Sequence, residues 1–516
     1  MKKLSIVCAS ALLMSLNLAA CGDNEDNPGA PTAGTKSDGG EAAGGKTSTN
    51  GGKTNGGSSS AGKTSSNGGD APVAGETGMA GSGTVGGEGG GPAVEPCDIY
   101  GDRPVKAIPA DSDGNITATL LTADTVWSLS DRLFVPAGKT LKIEPCTRIE
   151  GAPKGDKPSG SLFVMQGAKI DAVGTPDAPI LFTSEDHVFS DTPWGGVVLL
   201  GNAPIGPKIA DEVTPVRIYE GMTDDRASYG GDDPADDSGK MEYVRIEFGG
   251  DIIVTEPAAK EINGLSFGGV GSKTVINHIM VKDQADDCFE WFGGTMNADH
   301  LICQNSGDDM FDTDEGFKGH LQYLFGRNLI EGTSSDPNGF EWDGNQPLLT
   351  APTAALGTPQ ASNATLCGFK DSSKVSYGAV LRRSLGEGTS IQNAIITGFN
   401  FGVDARDNVG TNAAPLISWT NSLFFEQVTA DGASATDDDT KDGAFDENAW
   451  LGLEANANTV GGDAPAGFDC YAEVPVPPTT VIDGATPGTG FDKKGTFVGA
   501  FGEENWATGG WVDWSE

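Results

Sequence analysis

Asn277-His278-Ile279-Met280-Val281 leads into Asp286-Asp287-Cys288-Phe289-Glu290. Twenty-two residues on, Asp299-His300-Leu301-Ile302-Cys303 leads into Asp308-Asp309-Met310-Phe311-Asp312. A third copy starts at Gly319-His320-Leu321-Gln322-Tyr323 and reaches Asn338-Gly339-Phe340-Glu341 after a longer loop. A weaker fourth reads Asn393-Ala394-Ile395-Ile396-Thr397, then Phe401-Gly402-Val403-Asp404. A repeat of this length holds two or three short strands. One unit cannot bury its inner face alone, so units stack and share a core. The pattern predicts an all-β solenoid, a right-handed parallel β-helix.

The residues on either side agree. Short apolar runs such as Thr140–Ile143, Ser161–Val164, Pro179–Phe182, Gly196–Leu200 and Tyr243–Ile246 are punctuated by Gly, Asn, Asp and Pro. No window of helical length shows a convincing 3.6 period. Short strands with many turn residues leave a sandwich, a propeller or a solenoid, and the repeat selects the solenoid.

Val135-Pro136-Ala137-Gly138-Lys139-Thr140-Leu141-Lys142-Ile143-Glu144-Pro145 resembles the opening coils of pectin-lyase-like β-helices, as do Gln166-Gly167-Ala168-Lys169-Ile170 and Gly174-Thr175-Pro176-Asp177-Ala178-Pro179-Ile180. Trp194 to Gly201, Tyr243 to Gly250 and Asn263-Gly264-Leu265 resemble segments of a large group of bacterial surface lipoproteins with this fold. The resemblance covers roughly 115 to 410 and a terminal piece ending Gly509-Gly510-Trp511. It implies the fold and carries over no reaction, because fold does not fix function.

The N-terminus indicates the compartment. Lys2 and Lys3 precede a mostly apolar run from Ile6 to Leu18, too short to span a bilayer but right for a secretory signal. Leu18-Ala19-Ala20-Cys21 looks like a bacterial lipobox, which implies cleavage before Cys21 and acylation of its thiol. An ordinary signal with an incidental Cys is the alternative. The expected organisation is a signal peptide at 1–20, a lipidated Cys21 opening a Gly/Ser/Thr-rich linker at 21–96, a β-helix at 97–410 and an irregular C-terminal cap at 411–516. The linker has too little apolar surface to offset its ordering entropy and should behave as a disordered coil, roughly 50 Å end to end. The expected location is the bacterial envelope, held to the membrane by acyl chains. Gly22 after the Cys favours the outer membrane or cell surface over the inner membrane.

Acidic residues number 73 against 33 Lys and Arg. That argues against nucleic acid as a partner and suits cations or neutral ligands, although solubility alone also explains it. Of eight Cys, Cys8 leaves with the signal and Cys21 takes lipid. The other six suit up to three disulfides in an exported chain. Connectivity is open from sequence alone, and proximity favours Cys97–Cys146, Cys288–Cys303 and Cys367–Cys470.

Stacked repeats would place Glu290, Asp312 and Glu341 on successive coils, with Asp404 as a possible further member and Asp286, Asp287, Asp308 and Asp309 beside them. Neighbouring strands lie about 4.8 Å apart. Two carboxylates at that distance repel by roughly 3 kcal/mol at an effective dielectric near 20. Such a row needs a cation, protonation or outward splaying. Ca2+ takes six to eight oxygens in flexible geometry and suits it. The alternative is a solvated acidic face. A second acidic cluster, Asp232, Asp233, Asp236 and Asp237, resembles a calcium loop in composition but lacks EF-hand spacing.

His278, His300 and His320 precede apolar strands at matching places, and a structural stack is the better reading than ligands or a base. Alternation turns Phe289, Trp291, Phe340 and Trp342 inward when Glu290 and Glu341 face out, so these aromatics read as core and not as a sugar platform. Lys282, Arg327, Arg382 and Arg383 are the cations near the repeats. Known nucleophile, zinc and phosphate motifs are missing. Three functions fit: a glycan-binding or adhesive β-helix stabilised by Ca2+, a polysaccharide-degrading enzyme (lyase before hydrolase), and a purely structural surface protein. Extracellular polysaccharide is the expected partner. No catalytic residue can be assigned from sequence.

Overall fold

In the computed structural model, runs of Val, Ile, Leu and Phe pair in parallel with the matching runs of the next repeat. Residues 97–515 are described, except 156, 189–192, 208–211, 255–259, 346–355, 384, 407–416 and 427–444. The signal peptide, Cys21 and the linker lie outside the described residues.

Val275–Lys282 pairs with Ala298–Gln304, which pairs with His320–Arg327 and then with Gln360–Cys367. A second ladder runs through Leu265–Gly268, Phe289–Phe292, Phe311–Asp314, Phe340–Asp343, Tyr377–Arg382 and Phe401–Ala405. The architecture is a right-handed parallel β-helix, with coils that visit these surfaces in turn.

Each long strand bends at one residue of positive φ. Tyr243, His278, His300, Tyr323 and Asn363 occupy this corner, with φ between 52° and 60°. A single left-handed residue redirects the strand so that Ile276 and Ile279, on either side of His278, both point inward. The conformation is unfavourable for most side chains other than Gly and Asn. Ring stacking offsets that cost here. Tyr243 lies 4.4 Å from His278, His278 lies 4.4 Å from His300, and His300 lies 4.6 Å from Tyr323.

His320 is not in this column. The register pairs Ala298 with Leu321 and Leu301 with Leu324, which puts Tyr323 where a third His was expected. The coil is one residue longer than its predecessor, and the inward Leu321 and Leu324 set the register over the local His-Leu match. His320 Nδ1 instead bonds Asn297 Oδ1 at 3.0 Å.

The core is the inside of the coil stack. Phe289, Trp291, Phe340 and Trp342 are fully buried there, as alternation predicted, and so is Phe311. Each such side chain contributes about 1.5–3 kcal/mol on transfer from water. All three favoured disulfides are present: Cys97–Cys146, Cys288–Cys303 and Cys367–Cys470.

The β-helix continues beyond the expected boundary at 410. Ser418–Thr420 pairs with Ser390–Gln392, Leu423–Phe425 with Ile395–Thr397, and Thr459–Val460 with Leu423–Phe425. Polar stretches between these strands masked them in the sequence. A short helix, Glu447–Leu451, covers the last coils, and Glu447 Oε1 accepts from Ala405 N at 3.1 Å. Residues 461–515 then run back over the outer surface. Cys470 is bonded to Cys367, Phe501 packs on Phe325, Trp506 on His300 and Trp511 on His278. This segment is a lateral cover and not only an end cap.

Candidate functional site: an acidic cleft

The outward side of the second ladder carries the acidic rows. Glu290 stacks on Asp312 and Asp312 on Glu341, in the register the repeat predicted. The row begins at Ser266, next to Glu290, and is interrupted by Val380, which follows Glu341. Asp404 comes only after Val380 and bonds Arg406 at 2.7 Å, so it does not join the row. The coil at Gln360–Cys367 and Tyr377–Arg382 separates the third and fourth copies and carries no acid at this position.

The paired aspartates divide their work. Asp287 Oδ1 accepts from Asp309 N at 2.8 Å, and Asp309 Oδ1 accepts from Asn338 N at 2.7 Å. Each carboxylate thus secures the backbone of the next coil. Asp286 and Asp308 line the cleft beside them. Carboxylate oxygens of Asp287, Glu290 and Asp312 lie within 4.8 Å of one another, as do those of Asp286, Asp287 and Asp308.

Several lining residues were not read from the sequence. Asp314 and Asp343 follow Asp312 and Glu341 by two positions, and alternation puts them on the same outward side. They were legible by that rule. Glu220, Lys260 and Glu261 come from an insertion that folds over the sheet and belongs to no repeat, so no spacing announces them. The insertion is clamped by Tyr219 Oη to Ser266 Oγ at 2.8 Å and by Tyr229 Oη donating to Glu315 Oε2 at 2.7 Å. Glu220 has φ 44° and ψ 39°, an uncommon conformation for Glu, and its carboxylate lies 3.1 Å from Lys260 Nζ.

Eleven carboxylates line the cleft against three cations, Lys260, Arg382 and Arg383. The two arginines gather at one end. Arg382 pairs with Glu341 and, at 2.7 Å, with Asp343; Arg383 lies 2.5 Å from Asp343. Asn263 Nδ2 donates to Glu290 Oε2. Asp312 Oδ1 is buried without a hydrogen bond. Burial first, and neighbouring carboxylates second, push Asp286, Asp287, Glu290, Asp308, Asp309 and Asp312 well above the usual carboxylate range. Asp314 is pushed up to about 7 by burial and by Asp343 and Glu315.

The cleft offers about 140 Å³, room for a hydrated cation with several waters. An all-oxygen, all-carboxylate donor set suits a hard cation such as Ca2+, and the orphaned Asp312 oxygen is a ready ligand.

The second acidic cluster is not gathered into a site. Asp232 and Asp233 are exposed, Asp236 is buried and accepts from Asn202 Nδ2 at 3.0 Å, and Asp237 pairs with Lys169 at 2.5 Å. Asp233 accepts from Ala235 N at 3.0 Å, so Asp233, Asp236 and Asp237 are turned to different partners. The stacked His278 and His300 rings are nearly parallel, at 8°. Ligand atoms of His278, Asp299 and His300 lie within 4.8 Å of one another, and His300 Nδ1 is already engaged with Asp299 Oδ1 at 2.5 Å and His278 Nδ1 with Asn277 Oδ1 at 3.0 Å, so the column reads as packing. Arg327 and Lys282 lie on another face, under the returning C-terminal segment.

No curated protein matches the chain. The tailspike protein 2 enzymatically active domain of bacteriophage CBA120 is 10% identical, with a TM-score of 0.22, over 58% of this chain and 43% of that one. The full-length tailspike protein 2 from the Escherichia coli O157:H7 bacteriophage CAB120 is also 10% identical, with a TM-score of 0.24, over 59% and 39%. The chain thus spans about two fifths of the length of either tailspike. A family model for a pectate-lyase-like β-helix domain matches residues 114–466, past the strands at Thr459–Val460. With most of its length matched, this chain belongs to the pectate-lyase-like β-helix domain family.

Proposed function

We propose that the chain is a lipid-anchored protein of the bacterial envelope, acylated at Cys21, whose β-helix binds an extended glycan beside a Ca2+ held in the acidic cleft. The observation that carries the cation is the half-buried row Glu290–Asp312–Glu341, in which the buried Asp312 Oδ1 has no hydrogen-bond partner. Asp287, Asp309 and Asp286 would complete an oxygen-rich shell. The glycan rests on the family's name and on the bridging that a cleft-bound Ca2+ offers to an anionic sugar. Calorimetric titration of the chain with Ca2+ tests the reading. Micromolar binding that is lost in a Glu290→Gln/Asp312→Asn variant is the expected result. Absent binding, or binding unchanged in the variant, would sink the cleft as a calcium site.

The second reading is a polysaccharide lyase. It is favoured by Arg382, Arg383 and Lys260 at the margin of the acidic rows. The ion pairs of both arginines with Glu341 and Asp343 count against either acting as a base. Release of unsaturated uronates from an anionic polysaccharide, followed by ultraviolet absorbance, would select the enzyme.

A further inference from the structure

A larger cavity, of about 900 Å³, lies on a different face and shares no lining residue with the acidic cleft. It is a trench along the solenoid axis. Its floor follows successive strands, from Arg148 through Glu247 and Lys282 to Asn305, and it ends at Ile330. The residues of the floor lie on or just after the strands Arg148–Gly151, Ile180–Ser184, Gly239–Glu247, Val275–Lys282, Ala298–Gln304 and His320–Arg327, which are consecutive neighbours in the sheet. Five steps between neighbouring strands make the trench roughly 24 Å long.

The outer rows explain why this stretch is open. Toward the C-terminal coils the row is apolar, Met280, Ile302 and Phe325, and the returning segment covers it with Phe501, Trp511 and Trp514. Toward the N-terminal coils the row turns to Arg245 and Arg148, and the cover gives way at Asp513 to Ser515.

The charges on the floor are paired with one another. Arg245 Nε lies 3.0 Å from Glu247 Oε1, and both side chains are under 5% exposed. Lys282 Nζ lies 3.1 Å from Ser515 Oγ and 3.8 Å from each of Asp283 and Asp513. At the head of the trench, Arg148 and His187 share Glu150, at 2.9 and 3.0 Å. Three cations, Arg148, Arg245 and Lys282, meet four carboxylates, Glu150, Glu247, Asp283 and Asp513, so the floor carries no spare positive charge to hold an anionic ligand. What remains is a fixed array of donors and acceptors. Sugar hydroxyls, which donate and accept, are complementary to such an array. The rim supplies the apolar part: Tyr100 is 46% exposed, Val188 54% and Ile330 51%. An exposed ring beside fixed polar groups suits the C–H face of a pyranose.

We infer that this trench is a second binding site, for an uncharged oligosaccharide lying along the solenoid axis, and that it works independently of the acidic cleft. The purified chain is screened against neutral gluco-, manno-, galacto- and xylo-oligosaccharides and against acidic ones, and each hit is titrated calorimetrically with Ca2+ and with EGTA. The expected result is a neutral ligand whose affinity falls at least tenfold in Tyr100→Ala and in Ile330→Asp and is the same with Ca2+ or EGTA. Both positions are exposed, and thermal unfolding confirms that each variant is folded. The inference is overturned if no neutral oligosaccharide binds, if only acidic ones do, if binding survives both substitutions, or if EGTA abolishes it. Loss of Ca2+ binding at the cleft would leave it standing.

Discussion

The cleft and the trench are built by the same device, stacking of coils about 4.8 Å apart, and differ in which charges recur. In the cleft the recurring residue is acidic, Glu290, Asp312, Glu341, so each coil adds repulsion. On the trench side the outward row reads Glu247, Lys282, Gln304, Arg327; Glu247 and Lys282 line the trench, Gln304 and Arg327 continue the row under the C-terminal segment, and unlike groups follow one another along it. A solenoid amplifies whatever its outward row repeats. Matched charge yields a preformed polar floor. Unmatched charge yields a site whose stability depends on protons or cations.

Neutralising substitutions should therefore have opposite signs in the two regions. Lys282→Met strands Asp283 and Asp513 around a buried position and is expected to destabilise the chain by about 3–5 kcal/mol, read from urea unfolding. Glu290→Gln/Asp312→Asn relieves repulsion and is expected to stabilise the cation-free chain by about 1–3 kcal/mol at pH 8. That gain should vanish near pH 4 and reverse in saturating Ca2+. Equal signs for the two variants at pH 8 would break the comparison.

Proton linkage sharpens it. Folded-state values raised by burial and like charge mean that the cleft carboxylates hold protons that the unfolded chain has lost. Their contribution is fully present below about pH 4 and is lost as pH rises through the raised values, with Asp314 titrating at about 7. His278 acts oppositely. Burial and His300 lower it to about 4, so its contribution is present above about 6.5 and lost as pH falls toward 4. In EGTA the unfolding midpoint should fall from pH 5 to pH 8, and Ca2+ should remove most of that fall. His278→Asn, placing at the corner the residue type found at Asn363, should add roughly 1–2 kcal/mol at pH 5 relative to pH 8, a value discounted for its partial exposure.

Much of this was legible because the solenoid turns spacing into proximity. Equal offsets put Asp287 with Asp309 and Glu290 with Asp312, and alternation put Phe289 and Trp291 inside. The same rule was available for Asp314 and Asp343. It failed where spacing changed. One extra residue put Tyr323 in place of a third His, and an intervening coil moved Asp404 away from Glu341. Glu220 and Lys260 reach the cleft from an insertion, and Tyr100 and Asp513 reach the trench from segments far apart in sequence. No periodicity links such residues. Only the packed tertiary structure does.

The bond between Cys97 and Cys146 closes a loop that contains the opening strands, from Val105–Ala107 to Thr140–Ile143. Tension applied from the N-terminal side, as the proposed anchor would apply it, enters at Cys97, passes through sulfur to Cys146 and skips the loop. The first coils then bear no mechanical load, and peeling has to start further along the stack, where longer parallel strands such as Gly239–Glu247 share the force across several backbone hydrogen bonds at once.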